Sequence, residues 1–102
     1  MNPYEVIISD EARRQLGECV LFLARKDVDA AERLRERLID SIRSLTHMPT
    51  RFPFFDEPYV PKDRYHKMFV EKYYLILYQV RDYHVYVDYV IDCRRDYQWL
   101  LH

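Results

Sequence analysis

The sequence predicts an α+β fold in which an N-terminal strand leads into an antiparallel helical hairpin packed on an antiparallel β-meander. Three observations predict it. A short β-branched run, Tyr4 to Ile8, opens the chain. Two stretches follow whose apolar residues recur at spacings of three and four. Three runs rich in Val, Ile, Tyr and Phe then close the sequence, joined by connections so short that neighbouring strands must run antiparallel. With 102 residues and a single glycine, one domain spanning 1–102 is expected, built around one core.

The first strand stops at Ser9-Asp10-Glu11, which combines an N-cap candidate with acidic residues favourable at a helix start. In the helix that follows, Ala12, Leu16, Cys19, Val20 and Leu23 form the apolar face, and Arg25-Lys26 supply charges suited to its C-terminus. The second helix is expected to begin at Asp29, because Asp29 and Glu32 have the spacing of a capping box. Its stripe is Ala31, Leu34, Leu38, Ile42 and Leu45, with charges of both signs between, which describes a solvated face rather than a nucleic-acid site. Pro49 is expected to close it.

From Pro49 to Asp63 the prolines Pro53, Pro58 and Pro61 punctuate Phe52, Phe54, Phe55 and Tyr59. Regular structure is not expected there, and so many aromatics favour a loop that lies against the core. The strands are expected over Arg64 to Val70, Tyr73 to Val80 and His84 to Ile91. Simple alternation places Val85, Val87, Tyr89 and Ile91 on one face of the last strand and His84, Tyr86, Asp88 and Val90 on the other. The helices should cover the more apolar face. The tyrosine-bearing polar face, bordered by the loop and by the C-terminal segment DCRRDYQWLL, is the candidate site.

Charge narrows the function. Sixteen Lys+Arg against seventeen Asp+Glu give a formal net charge of −1, which excludes broad electrostatic affinity for nucleic acid and requires any basic site to be local. No stretch has the length and apolarity to span a bilayer, and MNPYEVIISDEARR lacks the layout of a secretory signal, so a cytoplasmic protein is expected. Cys19 and Cys93 lie far apart and without metal-ligand spacing, so reduced, packed thiols are expected, with no metal and no cofactor.

The order of these elements, together with YEVIISDEA, AAERLRERLIDSIRSLTHMPTRFP, YHKMFVEKYYLILYQV and VIDCRRDY, resembles the RelE/ParE superfamily of toxins from bacterial type II toxin–antitoxin modules. The resemblance runs over nearly the whole chain and lies in a succession of weak motifs. It implies a growth-inhibiting protein neutralised by a cognate antitoxin, whose tail is expected to wrap the domain. Its implied target is DNA gyrase, as for ParE-like members, or mRNA on the translating ribosome, as for RelE-like endoribonucleases. A degenerate toxin that only binds its antitoxin is the third possibility.

Ribosome-dependent cleavage needs the RNA 2′-hydroxyl to attack the adjacent phosphate, so a nuclease site must supply cations and proton-transfer groups. On the RelE-like pattern the paired lysines of the first meander strand fall at His66 and Met68, with Lys67 between them, and the middle-strand arginine falls at Leu75. His66, Lys67, Arg95 and Tyr97 are the catalytic candidates if the protein is a nuclease. Arg64, Arg94 and Arg95 are the candidates for target binding. Arg94-Arg95-Asp96 and the aromatic tail resemble the ParE-like ending, and with the near-neutral charge this favours gyrase. Trp99, Leu100 and Leu101 read most simply as packing the tail onto the domain.

Overall fold

The computed structural model describes residues 2–95. They form strand β1 (Glu5–Ile8), helices α1 (Asp10–Ala24) and α2 (Val28–Arg43), 3-10 turns at Ser44–Thr46 and Pro49–Arg51, and strands β2 (His66–Val70), β3 (Tyr74–Arg81) and β4 (His84–Asp92). The four strands make one sheet in the order β1-β4-β3-β2. β2, β3 and β4 are the expected antiparallel meander, and β1 adds to its far side, parallel to β4, with Glu5 beside His84 and Ile8 beside Val87. The hairpin lies across one face.

Helix α1 starts where Ser9 caps it, its hydroxyl accepting from the Ala12 amide at 3.0 Å. The start of α2 differs from the expectation. Asp27 rather than Asp29 is the N-cap, accepting from Ala30 N at 3.0 Å, and Asp29 lies in the first turn, where its charge suits the helix dipole. The α-helix also ends before Pro49, at Arg43, and a 3-10 turn then carries Leu45 into the core. Arg51 closes this end: its guanidinium donates to the carbonyls of His47 at 2.6 Å and Met48 at 3.1 Å, and to Ser44 Oγ at 2.9 Å.

The main core lies between hairpin and sheet. Leu34, Leu38, Ile42 and Leu45 meet Met68, Ile76, Tyr78, Val85, Val87 and Val90, all buried. That set overturns the simple alternation in β4. Leu77 faces Tyr89 and Tyr78 faces Val87, so Asp88 has no opposite number on β3 and forms a bulge. One extra residue reverses the phase, so Val85, Val87 and Val90 share the helix side, whereas Tyr89 and Ile91 turn to the outer side.

The outer face is covered in part by the aromatic loop. Phe55 packs on Leu75, Leu77 and Ile91, flanked by Val60, Tyr65, Tyr89 and Cys93. Main-chain bonds fasten it there: Phe55 N donates to Tyr65 O at 2.7 Å and Lys67 N to Pro53 O at 2.9 Å. The loop therefore packs, as its aromatic content requires, and it is more regular than expected, with a 3-10 turn and a bridge between Phe54 and His66. Strand β2 begins at His66, which leaves Arg64 in the loop, and β3 begins at Tyr74, which leaves Tyr73 in the turn. Cys19, buried, and Cys93, half-buried, are not joined in a disulfide. No helix among the described residues is long and apolar enough to cross a membrane.

Candidate functional site

His66 sits on the helix side of the sheet and is 6% exposed. Its ring stacks between Phe54, at 4.3 Å between centroids, and Tyr78, at 5.3 Å, and its Nδ1 lies 2.7 Å from the carbonyl oxygen of Phe52. Both flat faces and one nitrogen are thus engaged by the fold. Met68 is buried in the main core and Leu75 under Phe55, so two of the three positions that match basic residues of the RelE-like pattern pack apolar side chains here.

Lys67 belongs to the opposite face, since alternate residues of a strand point to opposite sides, and it is half-buried. Arg64 is exposed on the loop. His66 pairs with Tyr78, whereas Tyr74, the partner of Asp92, pairs with Val70, four residues further along β2. That separation is roughly 13 Å of strand. The sheet therefore keeps His66 apart from Arg94 and Arg95, and among the described residues the catalytic candidates His66, Lys67 and Arg95 do not converge. Tyr97, Trp99, Leu100 and Leu101 lie outside the described residues.

A second polar group lies on the outer face at the bulge. Asp88 accepts from Gln79 Nε2 at 2.7 Å and is hydrogen-bonded to the Tyr65 hydroxyl. Burial first, and the neighbouring Asp88 carboxylate second, push the Tyr65 phenol up to about 12. A phenol held so firmly neutral is a donor rather than a base near neutral pH. Among the described residues no group of three or more His, Cys, Asp or Glu is placed to hold a metal ion.

Arg94 and Arg95 follow β4 and diverge. The Arg94 guanidinium lies 4.4 Å from the Tyr73 ring and 5.8 Å from the Tyr74 ring, and Nη2 donates to the Tyr74 hydroxyl at 3.3 Å. Asp92, only 3% exposed, accepts from the Arg94 amide at 3.0 Å and lies 3.6 Å from its Nε. Burial raises the Tyr74 phenol, and Asp92 adds to the effect while Arg94 opposes it. Arg95 crosses to the hairpin, 5.0 Å from the Phe22 ring, which Lys26 also approaches at 5.7 Å.

Between these arms a groove of about 420 Å³ is lined by Phe22, Leu23, Lys26, Tyr74 and the Asp92–Arg95 end. A neighbouring one of about 600 Å³ runs along α2 past Arg33, Arg37, Glu71 and Tyr73. Sequence reasoning found the arginines and the segment that Asp92 opens but missed Phe22, Lys26, Tyr73 and Tyr74. One signal was available: Phe22 stands off the apolar stripe of α1, four residues before Lys26.

The described residues thus form a helical hairpin across a bulged four-stranded sheet with arginines after β4, and the family match agrees with a toxin of the RelE/ParE superfamily. The chain matches the family described as ParE toxin of type II toxin–antitoxin system, parDE, over residues 6–97, and it belongs to that family. Among solved structures it is similar to the chromosomal ParDE toxin–antitoxin system from P. aeruginosa, with a TM-score of 0.73 at 9% identity, covering 87% of this chain and 95% of that one. At that identity the likeness is one of fold. No curated protein matches the chain at a significant level.

Proposed function

We propose that this type II toxin inhibits DNA gyrase by binding it, and that a cognate antitoxin encoded beside it holds it inactive. The observation that favours the gyrase reading is that, among the described residues, the nuclease candidates are not gathered at one point. His66 is buried between two aromatic rings, and Met68 and Leu75 fill cores where a phosphate-binding cation would be needed. A ribonuclease transition state spreads negative charge over a phosphorane and requires preorganised cations and a proton donor at one point. A binding inhibitor requires neither, only an accessible surface of defined charge, and Arg94 and Arg95 provide one. The antitoxin reading is supported by family membership and by the ParDE system that shares the fold.

The test runs purified protein in two reactions: gyrase supercoiling, and translating ribosomes with mRNA ends mapped afterwards. Inhibited supercoiling with intact mRNA is expected, and addition of the adjacent-frame antitoxin should restore supercoiling. Codon-positioned cuts with unaffected supercoiling would overturn the reading.

A further inference from the structure

The hairpin covers one face of the sheet and the aromatic loop covers part of the other. What both leave open is the outer face at the end near the β3–β4 turn. Val6, Ile8, Val80, Val85 and Val87 pack on the hairpin side, so their neighbours Glu5, Ile7, Gln79, Arg81, His84 and Tyr86 point outward. The register sets these six in two cross-strand rows, Glu5–His84–Arg81 and Ile7–Tyr86–Gln79. Phe55 and its companions lie over Leu75, Leu77 and Ile91, further from the turn.

Ile7 is 38% exposed although it belongs to a parallel pair, and parallel strands are ordinarily covered on both faces. Tyr86 beside it is half-buried, and the Arg81 guanidinium lies 4.7 Å from the Tyr86 ring. A ring face orients a guanidinium without using its in-plane N–H donors. Glu5 stands at the other end of the charged row. Its contact with His84 Nε2, at 3.4 Å, leaves the Glu5 side chain 70% exposed. The two opposite charges start from strands on either side of β4, two strand spacings or roughly 10 Å apart.

We propose that this face pairs with the same face of a second copy of the chain, about a twofold axis running close to the direction of β4. Such an axis keeps the strand direction and reverses the strand order across the contact. Glu5 of each copy then meets Arg81 of the other, Tyr86 meets Tyr86, and Ile7 rests beside Gln79. A twofold contact must be complementary to itself. A row with a carboxylate at one end and a guanidinium at the other, equally far from the axis, satisfies that condition, and the row beside it supplies an apolar centre. Two rows on three strands bury less than the roughly 1,200 Å² of a stable interface, so the dimer is transient and grows with concentration. The pairing requires neither gyrase nor antitoxin. Nucleic acid suits the face less well, because its backbone asks for cations alone.

Arg81→Glu and Glu5→Arg test the pairing, each alone and the two mixed. Sedimentation of the purified wild-type protein from roughly micromolar to millimolar concentration should show its mass rising from that of a monomer towards that of a dimer. Either reversal alone sets like charges together at both crossings and should weaken association by roughly tenfold or more at low salt, with melting temperature close to the wild type. Mixed in equal amounts, the two variants again set a carboxylate against a guanidinium at both crossings, and association should return towards the wild-type level. Where a reversal lowers the melting temperature, Arg81→Gln and Glu5→Gln replace it, and each should weaken association by a smaller factor. Wild-type protein that stays monomeric throughout, or folded reversals that associate as well alone as mixed, overturn the pairing. Reversals that leave self-association intact and weaken binding to gyrase or to the adjacent-frame antitoxin overturn it in favour of that partner.

Discussion

The hydroxyl of Tyr78 donates to the carbonyl oxygen of Pro49 at 2.5 Å, joining the middle of β3 to the 3-10 turn that follows the hairpin. Tyr78 is fully buried, and its ring also stacks on His66. Removing the hydroxyl would leave a carbonyl in a dry place without its donor. Tyr78→Phe should therefore lower the unfolding free energy by about 1–3 kcal/mol, measurable by chemical denaturation. Fold and antitoxin binding should persist at moderate temperature.

Two phenols predict the alkaline limit of the fold. Burial pushes Tyr78 up to about 12, against the pull of Arg51, and burial with Asp88 does the same for Tyr65. The folded chain thus keeps these protons to higher pH than the unfolded chain, whose tyrosines titrate near about 10. Their contribution to stability is complete below about pH 10 and is lost as the pH climbs towards about 12. Denaturation midpoints measured across pH 8 to 12 should fall over that window, and the fall should be shallower in Tyr65→Phe. A midpoint that rises there would contradict the assignment.

Gly17 occupies the interior of α1, and a methyl group built on it meets nothing within 4 Å. Glycine there costs backbone entropy for no visible steric reason. Gly17→Ala should stabilise the protein by about 1 kcal/mol and leave antitoxin binding unchanged, read by melting temperature and a pull-down.

Arg51 gathers the carbonyls at the end of the hairpin, and Met48 beside it adopts a left-handed backbone, with φ of 47°. Arg51→Ala should cost on the order of 1 kcal/mol, since these bonds lie in solvent. Met48→Gly in the same background should recover part of it by relieving the left-handed strain. A thermal melt of the single and double variants decides the matter.

Much of this architecture was legible in the sequence. The stripe of α2 and the β-branched runs specify their partners through burial alone, so Leu34, Leu38 and Ile42 reached the core as their spacing required. Where two acceptors competed, local pattern misled: Asp27 and Asp29 both have capping chemistry, and the short link from α1 selected Asp27. In β4 the valines at 85, 87 and 90 carried the sign of a bulge, a spacing of two and then three. A strict period of two concealed it. The site was harder to read because His66 is chemically apt but its surroundings are set by Phe54 and Tyr78, twelve residues away on either side. Likewise, nothing along the chain ties Phe22 and Lys26 to Arg94 and Arg95.

The parallel pairing of β1 with β4 sets the order in which the toxin can be assembled. Glu5 waits for His84, so β1 leaves the ribosome long before the strand it pairs with has been made. β4 in turn is an inner strand, and without it β1 is detached from the meander. The hairpin, whose contacts are local, can gather early, but its apolar stripe remains without a sheet to cover. A chain interrupted before β4 therefore lacks the strand that joins β1 to the meander and the arginines that follow it. The complete sheet thus arrives late in synthesis, and nascent fragments are candidates for aggregation or proteolysis.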